Sequence, residues 1–183
     1  MRIISGEFKG RRLQAPKKLP VRPTTDMAKE ALFNIINNNY YFDDIKVLDL
    51  FSGTGNISYE FASRGTEDVT CVDQNFGCTK FINQTSEEFE MNLKVFKNDV
   101  YKFLEQYTQE SDLIFADPPY DFSLENFAKI PELVFANNLL ANGGVLIVEH
   151  SKYTKLDQLP HYSYGKSYGG NSFSFFEKND EEN

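Results

Sequence analysis

Asp117-Pro118-Pro119-Tyr120 is the stretch whose residue types could do chemistry together. It follows the apolar run Leu113-Ile114-Phe115-Ala116, so it stands where a buried strand would end. Two consecutive prolines offer no N–H to a ladder, so they stop the strand and stiffen the backbone. The product is a rigid lip with an acceptor carboxylate, bare carbonyls and an aromatic face. A flat ring carrying an amino group suits such a lip. The tetrapeptide taken alone also reads as a proline-stiffened surface turn.

A second constellation is Val47-Leu48-Asp49-Leu50-Phe51-Ser52-Gly53-Thr54-Gly55-Asn56, an apolar strand running into a glycine turn at a helix start. Helix N-termini offer unpaired N–H groups, and glycine lets a ligand approach the backbone. The turn lacks the dinucleotide G-x-G-x-x-G pattern, since Ser58 stands where its last glycine belongs. Asp49 precedes the turn instead. A carboxylate there repels a pyrophosphate and suits a cationic ligand, which favours S-adenosylmethionine over NAD. Asp73 ends the next apolar run, placed either to accept from ribose hydroxyls or to cap the following helix. Asp99 ends the third, placed to accept from an adenine amino group or to cap the helix beginning at Val100. With Asp117, four acidic residues mark the carboxyl ends of consecutive strands.

The elements that position these residues alternate. Strand-like runs are Val47–Leu50, Val69–Val72, Leu93–Phe96, Leu113–Ala116 and Val145–Val148, with helical patterns at Asn56–Ser63, Asn75–Met91, Val100–Tyr107 and Leu124–Asn137. Short apolar strands between helices predict a parallel sheet covered on both faces. His161–Ser167 and Ser172–Glu177 flank a glycine turn and predict an antiparallel hairpin at the sheet edge. Ahead of the sheet, Arg2–Ser5 and Arg11–Gln14 predict a hairpin, followed by an extended connector ending at Pro23. Thr24-Thr25-Asp26 then starts a helix whose apolar face is Met27, Ala28, Ala31, Leu32, Ile35 and Ile36. At 183 residues, one α/β domain is expected. It divides into a basic arm (1–23), a core (24–177) and a polar, frayed tail (178–183).

Charge is uneven. The net charge is −8, yet residues 1–30 hold eight basic groups against three acidic, leaving 11 basic against 24 acidic in the rest. A basic arm on an acidic body predicts contact with a polyanion, the alternative being a solvated hairpin. No run approaches the ~18 apolar residues of a membrane span, and no apolar leader is seen, so a cytoplasmic protein is expected. Cys71 and Cys78 are expected as buried thiols, and two histidines at 150 and 161 predict no metal site.

The chain resembles the bacterial RsmD-type methyltransferases, which modify guanine N2 in small-subunit (16S) ribosomal RNA. Arg2–Gly6 with Gly10-Arg11, Arg22–Asp26, Glu30–Ile35, Leu48–Gly55 with Glu60, Ser63-Arg64-Gly65, Asp117–Tyr120 and Leu146–Glu149 carry the resemblance. It implies a Rossmann-like, mostly parallel seven-stranded sheet with an antiparallel C-terminal strand, and S-adenosylmethionine as cofactor. It further implies that Asp49, Gly53 and Gly55 face the methionine part, Asp73 the ribose and Asp99 the adenine. Thr24, Phe51, Ser52 and Val100 are counted among the cofactor contacts. Asp117, Pro118, Pro119 and Tyr120 would hold the target base, and Arg2, Lys9, Arg11, Arg12 and Arg22 would contact RNA phosphates. The implied partner is 16S rRNA, alone or within a 30S particle with ribosomal proteins, met by a monomer. Asn56 and Ser58 depart from the small or apolar residues expected after the loop, and Asp73 stands where Glu is common. The alternatives are an adenine N6 or protein-glutamine methyltransferase, or a non-catalytic assembly factor.

Overall fold

The computed structural model describes residues 1–22 and 24–179. Strands β1 (Lys46–Leu50), β2 (Asp68–Asp73), β3 (Leu93–Lys97) and β4 (Ser111–Ala116) alternate with helices α2 (Asn56–Ser63), α3 (Phe76–Glu88) and α4 (Val100–Gln106). Helix α1 (Asp26–Asn37) precedes them; α5 (Leu124–Ala136), β5 (Leu140–Ser151), β6 (Tyr162–Tyr168) and β7 (Asn171–Glu177) follow. The sheet order is β3-β2-β1-β4-β5-β7-β6. β7 pairs antiparallel with both β5 and β6, so it alone runs against the other six strands. The reversed C-terminal strand is as expected from sequence.

The central strands are buried on both faces because alternate residues feed two cores. Val47, Val69, Leu113, Phe115 and Ile147 pack with α1, α2 and α3 on one side. Leu48, Leu50, Ile114, Leu146 and Val148 pack with α4 and α5 on the other. This is why the runs read as continuous apolar stretches. Both cysteines are free and buried. The predicted end of the connector at Pro23 and the tail at 180–183 lie outside the described residues.

Two expectations are corrected. The N-terminal segment pairs back on itself, but through a single bridge, Arg2↔Arg12, not two strands. The reason is a competing acceptor: the N–H groups of Ile4 and Ser5 donate to the Glu60 carboxylate at 2.9 and 3.0 Å. The hairpin is also docked, not free. Ser63 Oγ accepts from Phe8 N and donates to the Ser5 carbonyl, while Glu7 N donates to the Ser63 carbonyl at 2.7 Å. Gly6, at φ +83°, lies so close that a Cβ there would meet the Ser63 carbonyl oxygen at 1.8 Å.

The buried face of α1 is rotated from the expected one. Ala28, Lys29, Leu32, Phe33 and Ile36 are buried, whereas Met27 is 63 % exposed. Lys29, counted above with the basic arm, is only 1 % exposed. Its ammonium lies 3.1 Å from Glu60 and donates to the Arg2 carbonyl and to Asn56 Oδ1. Burial, opposed by Glu60, pulls its pKa below the usual lysine value.

Candidate active site

Neighbouring strands β1 and β4 are the point where the strand order reverses, and Leu50 is in register with Ala116. The glycine turn after β1 and the Asp-Pro-Pro-Tyr segment after β4 therefore emerge side by side, in the crevice where open α/β sheets bind ligands. Asp117 N donates to the Leu50 carbonyl at 3.4 Å, tying the two together.

The turn is held from behind by β2. Ser52 donates both its N–H and its hydroxyl to the Val72 carbonyl, so that hydroxyl is committed. Asp73 accepts from Gly53 N and from Asn75 N, both at 2.8 Å. It thus pins the turn and the start of α3, with lone pairs to spare on each oxygen. Phe51, at φ 55°, is a non-glycine residue in the left-handed region; such strain concentrates at functional sites. Its ring meets Tyr101 and Phe122 edge-on at 6.4 and 5.7 Å, forming an aromatic wall. Gly55, at φ +88°, has no room for a side chain, because a Cβ would lie 2.6 Å from the Tyr59 ring.

Asp49 is buried beneath the turn and accepts from Ser58 Oγ at 2.6 Å. Burial, aided by the nearby Asp73 charge, pushes its pKa up to about 7. The two residues that departed from the family pattern are thus used: Ser58 holds Asp49, and Asn56 accepts from Lys29. Asp99 caps α4, accepting from Lys102 N at 3.1 Å, and Val100 is buried behind it. The capping alternative for Asp99 is what the geometry displays.

In the lip, the Pro119 carbonyl accepts from Phe122 N. Among the described residues no hydrogen bond reaches the Pro118 carbonyl. Behind the lip lies a network that sequence reading missed. Glu149, buried at the end of β5, accepts from Asn171 Nδ2 at 2.6 Å and from Thr24 Oγ1 at 3.4 Å. Asn171 Oδ1 accepts from Arg22 at 3.2 Å. Thr24, expected at the cofactor, donates its hydroxyl to Glu149. The Arg22 guanidinium, expected on phosphate, lies 3.4 Å from the centre of the Tyr120 ring. The available signal was Glu149 itself, a carboxylate ending an otherwise apolar strand; nothing local pointed to Asn171.

Although Asp117 keeps some surface, burial and the Glu149 and Asp49 charges hold its carboxyl well above the usual range, with Arg22 opposing. Burial likewise pushes Glu149 up to about 7, against the pull of Asn171 and Arg22.

Residues 16–22 cross the crevice. Leu19 packs on Gly77, where a Cβ would meet it at 2.6 Å, and Val21 lies over Gly53, at 3.3 Å from where its Cβ would be. Lys9, Arg11, Arg12, Lys17 and Lys18 are exposed on the arm and connector, whereas Arg2 pairs with Asp26 at 3.1 Å. Among the described residues no group of His, Cys, Asp and Glu is placed to hold a metal ion, and no helix is long and apolar enough to cross a membrane.

This strand order, with its one reversed strand and two adjoining loops, defines a Rossmann-like fold of the S-adenosylmethionine-dependent methyltransferase type. A solved structure titled "Putative methyltransferase yhhF from Escherichia coli" superposes with a TM-score of 0.83 at 27 % identity, covering 96 % of each chain. The chain belongs to the family described as conserved hypothetical protein 95, whose model matches residues 1–177. Among its relatives, "Putative rRNA methyltransferase YlbH" of Bacillus subtilis is 33 % identical, over 86 % of both chains. "Ribosomal RNA small subunit methyltransferase D" of Escherichia coli K12 is 28 % identical over 87 % of this chain and 79 % of that protein.

Proposed function

We propose that this protein transfers a methyl group from S-adenosylmethionine to the N2 amino group of a guanine in small-subunit ribosomal RNA. One observation carries the reading: a turn over a buried carboxylate held by Ser58 stands beside a lip bearing Asp117, with Leu50 and Ala116 in register. The relatives' names supply the RNA class, and the exposed basic groups of the arm agree with it.

The site fits the cofactor. Asp49, raised to about 7 by burial and bonded to Ser58, suits a cationic ammonium. Asp73 retains acceptor capacity for hydroxyls, and the Phe51, Tyr101 and Phe122 rings offer an apolar wall to a flat base. When bound, S-adenosylmethionine supplies a methyl group on a sulfonium, an electrophile that an amine lone pair can take.

The chain's own residues prepare that amine. A guanine N2 lone pair is conjugated into the ring. The Asp117 carboxylate and the Pro118 carbonyl accept its two hydrogens, drawing the nitrogen towards tetrahedral geometry and freeing the pair. Positioning and local electrostatics provide most of the acceleration. The Asp117–Glu149 neighbourhood is the place for the released proton, since both carboxyls have raised proton affinity. The base must leave its stack to reach this depth, and Lys9, Arg11 and Arg12 hold phosphates without reading sequence.

Incubation of the protein and labelled cofactor with free 16S RNA or 30S particles from a strain lacking the activity tests this. N2-methylguanine at one position is expected; label on adenine, on protein or nowhere overturns it.

Cofactor binding should depend on pH in a stated direction. Below about pH 7 the Asp49 carboxyl of the empty site is mostly protonated, and a bound cation favours its charged form. Affinity is therefore expected to strengthen from about pH 6 to pH 8, with a proton released at the lower end. Calorimetry in buffers of different ionisation heat reads that proton. Asp49→Asn should abolish both the release and the slope.

A further inference from the structure

Arg22 covers one face of the Tyr120 ring. Its guanidinium sits 3.4 Å from the ring centre, a stacking distance, and donates to Asn171 Oδ1 at 3.2 Å. Arginine is only a donor, so the oxygen of the Asn171 amide must face it. The amide nitrogen is then turned to Glu149, which accepts at 2.6 Å and is itself buried. The orientation of Asn171 is thereby fixed from both ends: an acceptor is presented to the lip and braced by a carboxylate. The buried Tyr120 hydroxyl lies beside the Glu149 carboxylate, without a hydrogen bond of good geometry.

Guanine carries, at C2 with N1–H and the N2 amine, a planar guanidine fragment whose donors lie on one edge. Adenine presents N1 there as an acceptor. An oxygen held like that of Asn171 welcomes the first and repels the second.

We propose that Arg22 is an internal stand-in for the target base: its guanidinium fills a subsite made by Tyr120 and Asn171, which selects a planar donor edge, and the flipped guanine displaces it. This rests on the guanine reading above. Once displaced, Arg22 is free to meet the RNA backbone, so one side chain guards the empty subsite and then holds the strand. Glu149 acts as a positioning residue, fixing Asn171 and not touching the base.

The test uses the full chain saturated with S-adenosylhomocysteine, so that added adenosine cannot enter the cofactor site, and titrates guanosine and adenosine separately by saturation-transfer NMR. Arg22→Ala is expected to bind guanosine about tenfold more tightly than the wild type, because the competing occupant is gone, while binding 16S RNA more weakly. Asn171→Leu is expected to lose guanosine binding about tenfold or more with adenosine unchanged. Calorimetric affinity of both variants for S-adenosylhomocysteine within about twofold of wild type shows that they fold. If neither nucleoside gains in Arg22→Ala while the wild type still methylates guanine, the stand-in is wrong and the function stands. If adenosine gains instead of guanosine, the donor-edge selection and the guanine assignment both fall.

Discussion

Replacing Asp117 with alanine is expected to slow methyl transfer by about 10³-fold or more, the scale of losing a positioned acceptor in a water-poor site. Cofactor affinity should stay within about twofold, because Asp73 and β2 hold the glycine turn and the bond from the lip to Leu50 comes from the backbone N–H of residue 117, which alanine keeps. Asparagine at this position keeps one acceptor oxygen without charge, so its rate should fall between the two. The wild-type rate should also drop as pH falls, because the carboxyl is held well above its usual range and its ionised form is the strong acceptor for the amine hydrogen it takes. Single-turnover rates against pH measure this. A variant with near-normal rate would remove Asp117 from the mechanism.

The same residue carries a stability cost of opposite sign. A carboxyl whose folded pKa is raised binds its proton more tightly folded than unfolded, so its contribution is present at low pH and lost as pH rises through the folded value. Asp49 and Glu149, both raised to about 7, add to this. Thermal stability is therefore expected to fall from about pH 5 to pH 8. Asp117→Asn should gain about 1 kcal/mol at the upper end, seen as a rise of about 2–4 °C in Tm. A loss of activity joined to a gain in stability is the mark of a functional, not a structural, group.

Glu60→Ala should be the most destabilising single change away from the site, by about 3–5 kcal/mol. Glu60 has no exposed surface and binds four partners: Lys29 at 3.1 Å, Arg64 at 2.9 Å and the N–H groups of Ile4 and Ser5. Its removal leaves the Lys29 ammonium buried without its counter-charge, and two N–H groups without an acceptor. A fall in Tm on the order of 10 °C is expected. Adding Lys29→Met to Glu60→Ala should recover part of the loss, because the second change removes the stranded charge. Faster proteolysis near Arg11 in the single variant would show the hairpin leaving α2. An unchanged Tm would mean that the network contributes nothing.

The row of strand-end acids was legible because β1, β2, β3 and β4 are buried runs whose ends are marked by charge. Local pattern alone placed Asp49, Asp73, Asp99 and Asp117 along one edge. It could not tell a ligand from a cap: Asp99 caps α4, and Asp73 pins the turn. Lys29 was counted with the basic arm because composition does not see burial. The Glu149–Asn171–Arg22 chain joins residues up to 149 positions apart, and only the antiparallel pairing of β5 with β7 brings Asn171 to the end of the strand carrying Glu149. The family motif carried Gly55 as a ligand-facing residue; the Tyr59 ring is what forbids a side chain there.

Leu19 rests at Gly77, Val21 at Gly53 and Arg22 on Tyr120, so one short segment touches both halves of the crevice. A ligand beneath Val21 that moved this segment would also shift the balance at Arg22. By linkage, each ligand then changes the other's affinity by the same factor. The connector thus puts the two halves into one thermodynamic cycle, whose coupling is the same whichever ligand arrives first.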